Sequence, residues 1–258
     1  YSASNISGLQ SGGCPNEIAI IVHGWALNEN KANERFDRAN MSLQHDNYHK
    51  PSIGFSWDAN TTWTIAKYIA KENGLKLGQF IFDFKDKCPS TTVRVIAHSL
   101  GSRVVLSALE SLHGNQEWKN KNFKISSVNL MGAAVDDEEV SKNPSYIDNN
   151  QTSLNNMSEW YDVYGIKSAY GKVIENEVSR FYNLFNPKDK ALTLIYGKDE
   201  HDNALGLTGK QEGITIPSNY NQTNVQSEIL ALCDADGDGN PDLGLTDCTT
   251  VDIGDNHA

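Results

Sequence analysis

The stretch Val93-Arg94-Val95-Ile96-Ala97-His98-Ser99-Leu100-Gly101-Ser102-Arg103-Val104-Val105 combines a reactive residue type with a demanding local geometry. An apolar strand runs into Ala-x-Ser-x-Gly, and an amphipathic helix leaves it. A serine at such a bend is held in a strained turn that tolerates only tiny residues two positions away, here Ala97 and Gly101. The bend lifts the Ser99 hydroxyl clear of the sheet. It also aims the N-terminus of the next helix, and the Leu100 amide, at any oxyanion that forms beside the serine. That chemistry is nucleophilic attack on a carbonyl, and it needs a base within hydrogen-bond reach. A second concentration of chemistry is Cys233-Asp234-Ala235-Asp236-Gly237-Asp238-Gly239-Asn240-Pro241-Asp242. Oxygen ligands at loop positions 1, 3 and 5 precede a glycine at position 6, as a calcium loop requires.

Elements of two periodicities must position these residues. Residues 18–23 (IAIIVH) form a continuous apolar run, the pattern of a buried parallel strand. Helical spacing of Ala32, Phe36, Ala39 and Leu43 follows. Residues 52–57 (SIGFSW) read as a strand. Thr61 or Thr62 can cap a long helix through Ile65, Ala66, Ile69 and Ala70 to Phe84, with a bend expected at Gly74. Residues 92–97 are a third strand, and Leu100, Val104, Val105, Ala108 and Leu112 mark the helix after it. Further strands are expected at 125–131, 180–185 and 249–253. Such alternation implies a parallel sheet of about six strands with helices on both faces. Its binding site is expected beyond the carboxyl ends of the strands. Residues 136–179 are polar with interspersed aromatics and read as a cap-like insertion, and residues 197–248 read as mostly loop. No linker divides the chain, so 1–258 is expected to be a single domain.

The chain resembles the α/β-hydrolase superfamily, in particular its secreted lipase and esterase branches. The resemblance rests on IIVHGW at 20–25, SIGFSWDA at 52–59 and VIAHSLGS at 95–102. It implies an α/β-hydrolase fold and a serine carboxylic-ester hydrolase acting through an acyl-enzyme on a small-molecule or lipid ester. The first segment looks like the family's oxyanion loop, with the Trp25 amide as second donor beside that of Leu100. Family chain order is Ser, acid, His. His23 and His98 lie within the motifs, and His45, His49 and His113 come too early. Of His201 and His257, the second follows a short strand and turn, as the family's base does, and is the expected general base. Asp189, after the strand 180–185 and a Pro-bearing turn, is the expected acid. Asp136, one strand earlier, is its rival.

Four cysteines, with no CxxC pair, fit two disulfides and an oxidising compartment. On this fold the strands after Cys14 and Cys88 are parallel neighbours, so these two cysteines are expected to bridge. Cys233 and Cys248 flank the acidic loop and are expected to pair as well. Within that loop Asp234, Asp236, Asp238, Asn240 and Asp242 are the candidate ligands of a structural calcium ion, and Asp247 is a further one. Position 12 is Leu245 rather than Glu, so the loop resembles dockerin or thrombospondin-type calcium loops rather than a sensor EF-hand. The alternative is a solvated acidic turn. With 258 residues and a formal charge of −11, a sizeable core is possible and a nucleic-acid partner is disfavoured. The longest aliphatic run is too short to cross a bilayer. A secreted or otherwise extracytoplasmic protein, its signal peptide removed, is therefore expected. A peptidase or amidase on the same scaffold, and a non-catalytic calcium-dependent surface module, remain open alternatives.

Overall fold

A computed structural model describes residues 13–147, 167–200 and 202–228. The elements are β1 (Glu17–Val22), α1 (Glu29–His45), β2 (Ser52–Phe55), α2 (Trp63–Lys87), β3 (Thr92–His98), α3 (Gly101–Gly114), α4 (Gln116–Asn120), β4 (Ile125–Met131), α5 (Gly171–Glu177), β5 (Val178–Phe185) and β6 (Tyr220–Asn224). Six parallel strands form one sheet in the order β2-β1-β3-β4-β5-β6. This is the α/β-hydrolase type of sheet that the sequence implied. The chain steps outward from β1 to β2 and then returns to β3. That reversal leaves a crevice between the carboxyl ends of β1 and β3, where open α/β sheets place ligands.

β1 is apolar from Ile18 to Val22 because both of its sides are covered. Ile18, Ile20, Val22, Val93, Val95 and Ala97 join the core with α2 and α3. On the other face, Phe36 of α1 sits against Gly54 of β2, where a Cβ would come within 2.4 Å of its ring. Asn28 caps α1 by accepting from the Lys31 amide at 3.0 Å.

Several sequence expectations shift. α2 runs without a break through Gly74. The glycine is there because α3 crosses at that point: a Cβ would lie 2.4 Å from the Ser107 Cβ. β2 stops at Phe55 because the Trp57 amide leaves the ladder and donates to His23 Nε2 at 3.1 Å. β6 lies inside the stretch read as loop. Among the described strands it lies at the edge, with only Tyr220 buried, so it carries no apolar alternation to read. The strand expected at 249–253 lies outside the described residues. Asp136–Ser141, read as part of a polar cap, is instead wholly buried despite four consecutive acidic residues. Near the other end of that stretch, α5 leads into β5, and its Glu177 accepts from Trp118 Nε1 at 2.6 Å and meets His113 Nδ1 at 2.7 Å.

The expected Cys14–Cys88 disulfide is present, with Cα atoms 5.5 Å apart. It ties the amino ends of β1 and β3 together, opposite the crevice. Nearby, Thr91 Oγ1 donates to the Pro15 carbonyl at 2.6 Å and the Thr92 amide to Asn16 at 2.9 Å. Cys233 and Cys248 lie outside the described residues. No described helix is long and apolar enough to cross a membrane.

Candidate active site

Ser99 sits one residue beyond β3 with φ of +53°, a left-handed conformation that costs a non-glycine residue about 1–2 kcal/mol. Backbone bonds on three sides hold it there. Its amide donates to the Met131 carbonyl at 2.9 Å, and its own carbonyl accepts from Ser102 at 3.0 Å and Ala134 at 3.2 Å. Tight packing explains the small flanking residue. A Cβ on Gly101 would lie 2.6 Å from the His23 carbonyl. α3 begins immediately after, so its N-terminal dipole points at the serine. Only 6% of Ser99 is exposed.

The loop after β1 completes the arrangement. Gly24 passes so close that a Cβ there would be 2.8 Å from the Ser99 Cβ. His23 is buried and its ring is tied at both nitrogens. Nδ1 is 2.8 Å from the Gly24 carbonyl, and Nε2 accepts the Trp57 amide. These partners assign a neutral ring with its proton on Nδ1. Burial also holds the imidazole below its ordinary pKa. Trp57 closes the clamp by stacking on the ring, with centroids 5.5 Å apart and an 8° interplanar angle, and by donating Nε1–H to the His23 carbonyl at 2.9 Å. With the Gly24 carbonyl drawn toward His23, a trans peptide turns the Trp25 N–H the opposite way. Among the described residues neither the Trp25 nor the Leu100 amide donates to a backbone carbonyl. Trp25 and Ser99 line the same cleft, and Leu100 follows Ser99 directly in the chain.

Ser99 opens on a cleft of about 240 Å³ walled by Trp25, Leu27, Trp63, Leu192, Ile195 and Tyr196. Trp25 and Tyr196 each meet Trp63 edge-to-face, at 5.3 Å and 5.9 Å. Trp57 packs on His23 and does not line this cleft. Trp63 and Tyr196 are not marked as cleft residues by the sequence. Both recur within apolar stretches and carry no motif of their own.

Buried charges hold these walls from behind. Trp63 Nε1 donates to Glu200 Oε1 at 2.9 Å, and Lys67 pairs with the same carboxylate. Burial alone would push Glu200 up, but Lys67 holds it below the usual carboxylate range. Tyr196 donates its hydroxyl to Asp136 Oδ1, and Lys167 Nζ lies 2.8 Å from Asp136 Oδ2. Arg103 Nη1 reaches Glu139 Oε1 at 3.1 Å with both side chains buried. Such pairs add little net stability, but they fix orientation because breaking one leaves a bare buried charge.

Of the two candidate acids, Asp136 is engaged by Tyr196 and Lys167. Asp189 follows β5, is fully buried, and accepts the Leu192 amide on Oδ1 at 2.9 Å. It thereby starts the π-helical turn Leu192–Tyr196 that supplies one wall of the cleft. The expected base His257 and its rival His201 lie outside the described residues, as do Asp234, Asp236, Asp238, Asn240 and Asp242. Among the described residues Asp136, Glu138 and Asp202 place carboxylate oxygens within 4.8 Å of one another. Lys167 already serves as the cation there, 4.0 Å from Asp202 as well.

Comparison with solved structures finds distant likenesses. An esterase, Pf2001, from Pyrococcus furiosus is 12% identical with a TM-score of 0.42, over 83% of this chain and 78% of that one. The catalytic core domain of an acetyl xylan esterase from Trichoderma reesei is 12% identical with a TM-score of 0.36, over 50% and 68%. Phospholipase PlaB from Legionella pneumophila is 14% identical with a TM-score of 0.36, over 69% and 40%. No curated protein matches. One family does, along residues 10–206, a span that holds β1 through β5 and with them the Ser99 turn and the His23–Trp25 loop. The chain belongs to this family, described as "Alpha/beta hydrolase of unknown function (DUF900)".

Proposed function

We propose that this α/β hydrolase is a serine carboxylic-ester hydrolase. The observation that carries the reading is Ser99, held at positive φ between β3 and α3 and lining a mostly apolar cleft with Trp25. Ser99 Oγ attacks the ester carbonyl carbon while His257 takes its proton. The two amides receive the negative charge of the tetrahedral oxygen. His257 then returns the proton to the departing alcohol, and water hydrolyses the acyl-enzyme by the same steps in reverse. Asp189 is the acid that fixes the imidazole. In favour of Asp189 over Asp136, the latter's oxygens already serve Tyr196 and Lys167. A calcium ion held by Asp234, Asp236, Asp238, Asn240 and Asp242 would steady the segment leading to His257. The Cys14–Cys88 bridge supports an extracytoplasmic location.

A fluorophosphonate probe and a chain-length series of 4-nitrophenyl esters, set against a peptide anilide, test the reading. Labelling at Ser99 and ester turnover, both lost in Ser99→Ala, are expected. Turnover that survives Ser99→Ala, or an anilide cleaved faster than any ester, overturns it. A chelator is expected to lower both melting temperature and ester turnover. Unchanged values remove calcium from the proposal.

A further inference from the structure

The cleft that Ser99 lines adjoins a second one; each is about 240 Å³, and the two share Gly24, Leu27, Arg35 and His98. The first is the apolar one described above. The second runs beneath α1, whose Arg35, Arg38, Ala39 and Ser42 face Ile96 and Met131 of the sheet. These positions recur at i, i+3, i+4 and i+7, one face of a helix. The charge of this lining runs against the rest of the molecule. The chain carries 33 acidic and 22 basic residues, yet no Asp or Glu lines either cleft. Glu29, Glu34 and Asp37 belong to α1 but line neither cleft. Among the described residues neither Arg35 nor Arg38 has an ion-pair partner.

Two guanidiniums on one wall of a cleft, without an ion-pair partner among the described residues, are suited to a carboxylate or phosphate, which they bind through charge-assisted, bidentate bonds. Carboxylates more than about 8 Å away act weakly there because salt screens them, and Glu34 and Asp37, the chain neighbours of Arg35 and Arg38, line neither cleft. We propose that the second cleft receives the leaving alcohol of the ester, and that this alcohol bears an anionic group held by Arg35 and Arg38. The acyl chain then lies in the Trp25–Trp63 cleft, and the scissile bond lies at the junction beside Gly24. This deepens the ester-hydrolase reading and rests on it.

Paired substrates test the idea. One pair is 4-nitrophenyl butyrate and its 3-carboxy analogue. The other is glycerol monobutyrate and the same ester carrying a 3-phosphate. Each rate is divided by that ester's uncatalysed hydrolysis. The wild type should favour at least one anionic member by about tenfold in kcat/KM. A preference in the first pair alone identifies a carboxylate, in the second alone a phosphate, and in both a general anion site. The preference should collapse toward unity in Arg35→Gln/Arg38→Gln. It should shrink in the wild type between ~0.02 M and ~0.5 M salt. Arg35→Lys/Arg38→Lys should keep part of it. The salt series needs no variant and stands even if a substitution misfolds. Neutral esters turned over with no anion preference, or a preference indifferent to both the double Gln variant and salt, refute the anion site and leave the hydrolase intact. No turnover of any ester, with Ser99 unlabelled by fluorophosphonate, brings down both.

Discussion

Replacing His23 by alanine is expected to cripple the oxyanion loop without touching the nucleophile. The ring makes two hydrogen bonds, to the Gly24 carbonyl at 2.8 Å and from the Trp57 amide at 3.1 Å. Each contributes about 1 kcal/mol, and each leaves a partner unsatisfied when lost, so together the loss is about 3–4 kcal/mol of stability. The catalytic cost is separate. If the Trp25 amide swings away, one of two oxyanion donors is gone, worth about 10²–10³ in kcat. Two further variants separate these effects. Asparagine can place an N–H where Nδ1 stands and keep the Gly24 bond. Glutamine can place an oxygen where Nε2 stands and keep the Trp57 bond. Denaturant unfolding and kcat on a 4-nitrophenyl ester should therefore rank His23→Asn above His23→Gln in turnover, even at matched stability. The pH response has a definite sign. Burial lowers the His23 pKa, so the unfolded chain binds its proton first as the pH falls below about 6.5. Stability from this ring is thus full above that value and declines below it. A folded alanine variant with kcat within about threefold of wild type, or glutamine outperforming asparagine, would refute the argument.

Other outcomes follow from the same geometry. Ser99→Gly should abolish turnover yet raise stability by about 1–2 kcal/mol, since glycine accepts a φ of +53° without strain; calorimetry reads the shift. Reducing the Cys14–Cys88 bridge, which spans a sequence separation of 74, should cost about 4 kcal/mol in unfolding free energy. Asp137 is raised to about 6, first by burial and then by Asp202 and Asp136, with Thr208 opposing. The folded chain therefore holds a proton that the unfolded chain releases near pH 4. Its share of stability falls by up to about 3 kcal/mol as the pH rises from about 4 to 6, and urea titrations of Asp137→Asn should show that slope flattened.

The parts of this molecule that were legible in its sequence are those where one local rule suffices. IAIIVH reads as a doubly covered strand because nothing in it can face water. The Ser99 bend reads from its small neighbours because any Cβ on residue 101 strikes the His23 carbonyl. Legibility ends where the cause is non-local. β6 pairs through its backbone with one buried side chain, Tyr220 stacked on Phe181, so its side chains carry no periodic signal. The run Asp136-Asp137-Glu138-Glu139 looks like a solvated surface. It is buried because Arg103, Lys167 and Tyr196 arrive from three other segments to meet it. Gly74 suggests a kink in one dimension and is a crossing point in three. The cleft behaves likewise: Trp63, Tyr196 and Arg35 have no motif and become neighbours of Ser99 only through α1, α2 and the turn after Asp189.

The crossing of α2 over α3 has a consequence for how the reaction centre can be retuned. Gly74 and Gly78 admit the backbone and side chains of Ser107, Ala108 and Ser111 at distances where any added methyl must push. α3 is the rod whose front tip is the Ser99 bend. A substitution at the rear of that rod, outside both clefts, is expected to shift its tip and re-aim the hydroxyl. Gly74 and Gly78 line neither cleft, so a search for activity-altering mutations confined to the cleft walls would miss both.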